Sequence, residues 1–154
     1  MRRLKIILLG LLIVLVLIQF IQPAHNKSSE ILSTHLTKTT NVPGNVQSIL
    51  KTACYDCHSN NTDYPWYSRI QPFGWILARH IRNGKAELNF NQFGSYSLRR
   101  QISKLNGIGN SVKDGTMPLN SYTMIHKSAR LSKEDKTLLI DWAVRTKDSL
   151  SSNK

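Results

Sequence analysis

The chain contains few cysteines, few acidic residues and no long stretch in which polar and apolar residues alternate. Its two cysteines cannot form the several disulfides of a small secreted scaffold or the four thiolates of a structural zinc site. Because no segment keeps a period of two for long, strands are not expected. A Ser-His-Asp set, paired carboxylates and a Gly-rich phosphate loop are also missing, so the sequence offers none of these kinds of catalytic machinery.

Acidic residues are outnumbered by basic ones. Nine Asp and Glu stand against 21 Lys and Arg, which gives the 154 residues a net charge of +12. This balance is compatible with nucleic acid, an anionic membrane or an acidic protein as partner, and does not choose among them. The length suits one domain of ordinary size together with an anchor or a tail.

The long apolar run of the chain lies at the N-terminus, from Ile6 to Ile21, directly after the cations Arg2, Arg3 and Lys5. As a helix it would span roughly 24 Å, and snorkelling ends would close the gap to a hydrocarbon core of about 30 Å. No A-x-A-like cleavage pattern follows, which favours an uncleaved signal anchor over a cleaved signal peptide or a buried core helix. The flanking cations predict a single-pass protein of the bacterial inner membrane, with the remaining chain on the periplasmic side.

The rest of the chain divides into a linker, a domain and a short tail. The segment before Pro43-Gly44 is rich in Ser, Thr, Lys and Asn, which is typical of a flexible linker, and its His25 and His35 are expected to be solvated. The predicted divisions are 1–23 for the anchor, 24–43 for the linker, 44–148 for the domain and 149–154 for the tail.

Four apolar patterns of helical period frame the domain. They cover residues 46–53, 73–81, 98–112 and 138–143. Gly84 is expected to end the second helix, Asp114-Gly115 the third, and Ser132 with Asp135 to begin the fourth as a near capping box. The domain is therefore predicted to be mostly α, with long loops and a small core that a bound hydrophobic cofactor would complete.

Both cysteines fall in one motif, Cys54-Tyr55-Asp56-Cys57-His58, which is the C-x-x-C-H signature of haem attachment. Two thiols three residues apart at a helix end can reach the two vinyl groups on one porphyrin edge, and the adjacent imidazole can lie under the iron. The motif predicts one covalent haem c, held by Cys54 and Cys57, with His58 as the proximal iron ligand. The alternatives are a strained disulfide, a thioredoxin-like pair without its βαβ context, and a zinc site short of ligands.

The distal iron ligand is predicted to be Met117. It precedes Pro118 in the loop between the third and fourth helices, and a proline stiffens such a loop. Distal methionine is the ligand that c-type cytochromes of class I pair with histidine. His80, on an apolar helical face, and His126, in the same loop as Met117, are rival ligands. Met124 is a minor candidate, and an open site is a further alternative.

An aromatic-rich stretch follows the motif and comprises Tyr64, Trp66, Tyr67, Phe73 and Trp75. Packing against the haem edge and the first helices is expected of it, and a docking surface or a hydrogen bond to a propionate is the alternative. Three arginines of the same region can pair with propionates or form a solvated face. These are Arg69, Arg79 and Arg82.

Several separated motifs of residues 44–146 together resemble the bacterial haem-binding domain family with a C-x-x-C-H site. They are the motif at 54–60, Tyr64-Pro65-Trp66-Tyr67, Ile70-Gln71-Pro72, Gly74-Trp75, His80-Ile81, Gly84-Lys85, Leu88-Asn89-Phe90 and Met117-Pro118-Leu119, followed by Tyr122, His126 and Leu131. The exit from the apolar run, Ile21-Gln22-Pro23, also fits. The resemblance implies a small membrane-anchored c-type haem protein with a cytochrome c-like helical domain, and it implies no substrate.

The favoured function is electron transfer in the cell envelope, with a redox protein of acidic surface as partner. A haem-based sensor or ligand-binding module with an open or displaceable sixth site is the alternative. No enzyme activity is expected, except that an open distal site would permit peroxidase-like chemistry. Export removes nucleic acid as a partner.

Overall fold

A computed structural model describes residues 1–28, 30 and 32–152. Residues 29 and 31 of the predicted linker, and 153–154 of the predicted tail, lie outside them. The α-helices of this part of the chain are α1 (Arg2–Leu17), α2 (Leu36–Thr39), α3 (Gly44–Ala53), α4 (Tyr55–His58), α5 (Phe73–Glu87), α6 (Leu98–Lys113), α7 (Asn120–Ile125) and α8 (Lys133–Ser152). The 3-10 turns are Ile18–Phe20, Trp66–Arg69, Phe90–Ser95 and Lys127–Ala129. Within the described residues no strand occurs, which confirms the predicted mostly α fold.

The N-terminal helix has no buried residue. Together with the turn that follows it, α1 forms an apolar segment of 19 residues, Arg2–Phe20, with a mean hydropathy of 2.4. A helix of this length and composition can cross a membrane. Its presence confirms the expected N-terminal helix, while the membrane and the orientation remain predictions.

The core lies where α3, α6 and α8 meet. Leu50, Leu105 and Leu139, one from each helix, are completely buried. The last helix begins as predicted, because Ser132 Oγ accepts from Asp135 N at 3.0 Å and Asp135 Oδ2 accepts from Ser132 N at 3.0 Å. This reciprocal pair is a capping box, and it directs the apolar face of α8 into the core.

Part of the predicted linker packs onto the domain. Leu36 is completely buried, and the adjacent His35 is 8% exposed, so the expectation that His35 is solvated is wrong. His35 caps α2 by accepting from Thr37 N at 3.2 Å, and burial lowers its pKa. Leu36 lies in a polar segment without a repeating apolar pattern, so sequence periodicity could not reveal that it is buried. The boundary at residues 43 and 44 remains a prediction.

The predicted end of the second helix is wrong, because α5 continues through Gly84 to Glu87. Gly84 serves a close approach: a Cβ at this position would lie 2.6 Å from the carbonyl oxygen of Cys57. Gly115, in contrast, has φ +68° and follows the end of α6, as a C′ glycine does. Because Gly84 has no side chain, α5 can pack directly against the backbone of the cysteine motif.

Candidate haem site

The cysteine motif forms a tight turn between α3 and α4. Cys54 leaves the helical conformation, with φ −127° and ψ −37°, and its carbonyl oxygen accepts from Cys57 N at 3.2 Å and from His58 N at 3.0 Å. The two helices are therefore joined at Cys54 itself. The close contact at Gly84 holds the other side of the turn against α5.

One hydrogen bond fixes the imidazole of His58. Its Nδ1 lies 2.9 Å from the carbonyl oxygen of Leu88, the residue that directly follows α5. Because a carbonyl only accepts, Nδ1 is the donor in this contact, and in the neutral imidazole the free lone pair is then on Nε2. Histidines that bind metals are oriented in this way, through a hydrogen bond from the other ring nitrogen. Sequence reasoning had no means of finding Leu88 O, because a backbone acceptor has no residue signature.

An apolar cavity lies beside His58 and Cys54. Its volume is about 150 Å³, and it is partly open to solvent. Most of its wall is hydrophobic, with Leu50, Leu88, Phe90, Ile108, Val112 and Leu131. Met117 also lines it, so the predicted distal residue and His58 share one cavity.

A second cavity adjoins the first and shares Cys54, His58 and Met117 with it. Its volume is about 330 Å³, it is also partly open to solvent, and it adds Cys57 and His80 to the lining. Both cysteines, His58 and Met117 thus line the second cavity, although the two thiols do not lie close together. The one acidic side chain common to both linings is Glu87, which pairs with Lys104.

Both thiols are free, without a disulfide between them. Burial, followed by the neighbouring charge of Cys57, raises the pKa of Cys54 to about 12. Burial, followed by the charge of Asp56, raises the pKa of Cys57 to about 11. At neutral pH both are protonated thiols, whereas the reactive cysteine of a thioredoxin-like pair has a lowered pKa.

The rivals of Met117 differ in position. His80 lines the second cavity. His126 lines neither: its Nε2 lies 2.8 Å from Tyr67 Oη, and its ring stacks on Tyr122 at a centroid distance of 4.2 Å. Met124 also lines neither and is 72% exposed.

A hydrogen-bond network that the sequence did not reveal joins α7 to the motif. Tyr122 Oη donates to Asp56 Oδ2 at 2.5 Å, and Asp56 Oδ1 accepts from Asp63 N at 2.9 Å. Burial and this hydrogen bond raise the pKa of Tyr122. Asp56, between the two cysteines, therefore ties the segment after Met117 to the cysteine turn.

The aromatic stretch lies outside both cavities. None of its five side chains lines either cavity, and Trp66 and Phe73 are 78% and 56% exposed. Tyr64 Oη accepts from Asn26 N at 2.6 Å, and Trp75 Nε1 donates to Ile21 O at 2.8 Å. Tyr64 and Trp75 thus contact the chain that leaves the N-terminal helix, whereas Tyr67 is paired with His126. The expected packing of these aromatics on a haem edge stays a prediction. The three arginines are exposed and likewise absent from both linings.

The residues present fit a haem. The cavity offers an imidazole nitrogen with a free lone pair, an apolar wall, and a thioether, with two unpaired thiols beside them. Fold and site thus define a helical protein built around a histidine-bearing apolar cavity. A family model described as haem-binding domain matches residues 13–145, and the chain belongs to this family of haem-binding proteins. Neither the curated proteins nor the solved structures gave a match to the chain.

Proposed function

We propose that this protein is a c-type electron-transfer protein of the cell envelope, with haem bound covalently through Cys54 and Cys57 and its iron held by His58 and Met117. The hydrogen bond from His58 Nδ1 to Leu88 O carries the proposal. It holds the ring in one orientation, and in the neutral imidazole it places the free lone pair on Nε2, the atom that would bind iron. A bound haem supplies an iron that takes up and returns one electron.

Covalent attachment is supported by the state of the two thiols. They are free and protonated at neutral pH, and they do not lie close together. Thioether formation needs no contact between them, because each S–H adds across its own vinyl group: sulfur bonds to one carbon, hydrogen goes to the other, and nothing is oxidised. The tight turn at Cys54 and the close contact at Gly84 fix the positions from which both thiols act.

Met117 is the distal ligand that the geometry supports best. It shares both cavities with His58, whereas His126 is held by Tyr67 and Tyr122 outside them. Hydrogen bonding between Tyr122 and Asp56 ties the following helix to the cysteine turn, and so restrains the loop that carries Met117. Fixed axial ligands favour electron transfer, because the iron then changes charge without rearranging its surroundings.

A second candidate function is a haem-based sensor whose sixth site is displaceable. One observation favours it: Met117 is 37% exposed, so an external ligand can approach the sulfur's position from solvent. His80, in the lining of the second cavity, is the residue that could replace Met117 in such a protein.

For the membrane location we propose a single crossing by α1 of the bacterial inner membrane, with the haem domain on the periplasmic side. The three cations before Ile6 support this orientation, and the apolar segment Arg2–Phe20 has the required length. The redox partner we propose is a protein with an acidic surface, because the chain has a net charge of +12.

The decisive experiment expresses the full chain together with a cytochrome maturation system and measures its intact mass. A mass increase of one haem is expected, and it should disappear in Cys54→Ser/Cys57→Ser. A protein that never gains this mass, although the maturation system matures a control cytochrome, contradicts covalent attachment.

Spectra of the same preparation separate the two functions. We expect a low-spin haem with a Met–iron charge-transfer band that is lost in Met117→Ala and kept in His80→Ala and His126→Ala. Carbon monoxide should bind poorly to the unmutated reduced protein. Ready binding of carbon monoxide would favour the sensor instead.

A further inference from the structure

We propose that Trp66, Ile70, Phe73 and Ile76 form a membrane-docking surface, which rests in the headgroup boundary of the periplasmic leaflet beside the N-terminal helix. The haem domain is then seated on the bilayer, in contrast to a domain suspended on a flexible linker. The proposal rests on the membrane crossing by α1 proposed above. It is independent of how the haem is bound.

A group of amide side chains joins the end of the N-terminal helix to the loop before α5. Gln71 N donates to Gln19 Oε1 at 2.9 Å, and Gln71 Nε2 donates to Gln22 Oε1 at 2.9 Å. Gln22 Nε2 donates to Arg69 O at 3.1 Å, and Gln71 itself is only 3% exposed. We call Gln19, Gln22 and Gln71 the glutamine latch. It joins the anchor and the domain directly, at residues far apart in sequence.

The position of Gln19 sets the depth of this contact. Gln19 lies inside the apolar run, with Phe20 and Ile21 still to follow. A polar side chain at that depth needs a hydrogen-bond partner, and Gln19 finds one in Leu15 O at 2.8 Å and another in Gln71. The loop that reaches Gln19 must therefore lie at the level of the last turn of the membrane helix.

The side chains that flank the glutamine latch are apolar and exposed. Trp66, Ile70, Phe73 and Ile76 are 78%, 43%, 56% and 50% exposed. Ile70 directly precedes the latch residue Gln71. Phe73 and Ile76 are neighbours on the first turns of α5. Such a group is costly in water, and Trp with aliphatic side chains is the composition found at membrane boundaries.

The charge of the region suits an anionic bilayer. Residues 64–86 contain no Asp or Glu and four cations, Arg69, Arg79, Arg82 and Lys85. Cations near a membrane surface are attracted to anionic lipid. The bilayer is the occupant we favour over a second copy or another protein, because the docking surface is continuous with a segment that itself enters the membrane. Trp75 reinforces this continuity through its hydrogen bond to Ile21 O.

The test uses the full-length haem protein in vesicles of phosphatidylethanolamine and phosphatidylglycerol that contain a phospholipid with a photoreactive group high on its acyl chain. After illumination, peptides are analysed by mass spectrometry. Label is expected on α1 and on the peptide that covers residues 66–76, and not on α8. In Trp66→Ser/Phe73→Ser the label on residues 66–76 should be lost while that on α1 stays. Val144→Ser, which changes an exposed apolar residue of α8, should leave the pattern unchanged.

Each other outcome counts against the proposal. Label on α1 without label on residues 66–76 overturns the docking surface and leaves the membrane crossing intact. Label on neither overturns the crossing and the docking together, while covalent haem, measured by mass, is untouched. Equal label on α8 and on residues 66–76 indicates unspecific contact. A surface that is unlabelled, but protected from hydrogen exchange in a concentration-dependent way, indicates a second copy of the chain as the occupant.

Discussion

The two ends of α5 hold their neighbours by different means. At its C-terminal end, Gly84 lets the backbone of Cys57 approach, and Leu88 O fixes His58. At its N-terminal end, Gln71 holds the anchor through side-chain amides. The C-terminal end depends on the absence of a side chain at Gly84 and on the carbonyl oxygen of Leu88, which lie beside an apolar cavity. The N-terminal end depends on the polar side chain of Gln71, which lies among exposed apolar residues. One helix therefore connects a region that a cofactor completes with a region that we propose a bilayer completes.

The largest effect is expected from Gly84→Ala. The new Cβ would meet the backbone of Cys57, which cannot rotate away, so the free energy of unfolding should fall by about 1–3 kcal/mol. The yield of covalently attached haem should fall as well. Denaturant unfolding and intact mass check this. Gly109→Ala is the control, because its Cβ meets nothing within 4 Å. Equal effects of both substitutions would mean that the close approach at Gly84 is unimportant.

Gln71→Leu tests the other end of the helix. Gln19 and Gln22 lose their partner at the membrane boundary, so the free energy of unfolding in detergent should fall by about 1–3 kcal/mol. Trp75 N donates to Gln71 Oε1 at 3.0 Å, so hydrogen exchange of this amide should become faster in the variant. The haem spectrum should stay the same. The control is Gln101→Leu, which removes a single hydrogen bond to Tyr96 O. A changed spectrum in Gln71→Leu would show that the two ends are not independent.

The smallest effect is expected from Glu87→Gln, at the cavity end of α5. The hydrogen bond from Lys104 lowers the pKa of Glu87, but the carboxylate is largely exposed, so the pair should contribute less than about 1 kcal/mol. Because the folded-state pKa is lowered, this contribution is present above the ordinary pKa of Glu and is lost as the pH falls through the folded-state value. Denaturant unfolding of the unmutated protein and of Glu87→Gln should therefore show a difference in the free energy of unfolding at neutral pH, and this difference should vanish at acidic pH.

Sequence patterns predicted the elements whose signals are local. The capping box of Ser132 and Asp135 and the C′ glycine at Gly115 lie where their residue types indicated. Cys54, Cys57, His58 and Met117 line adjoining cavities, and their roles toward a haem stay predictions. All of these signals depend on side chains close in sequence.

The misses have physical reasons. The sequence does not distinguish a glycine that ends a helix from one that lets a neighbouring backbone approach. Gly84 was therefore wrongly predicted to end its helix. Leu88 O is a backbone atom, and the bond from Tyr122 to Asp56 joins residues 66 positions apart. Trp66 is exposed, whereas large aromatic side chains are commonly buried, and the membrane contact that we propose accounts for this exposure.

The position of His80 on α5 has a consequence for the iron. His80 lines the second cavity and follows Ile76 by about one turn, a rise of about 6 Å. If Ile76 rests at the headgroups, that cavity lies within about one Debye length of the lipid phosphates. A negative surface potential there would stabilise the ferric over the ferrous state, since reduction adds an electron. The lipid composition of the leaflet would then tune the midpoint potential, which should be lower in anionic than in zwitterionic membranes.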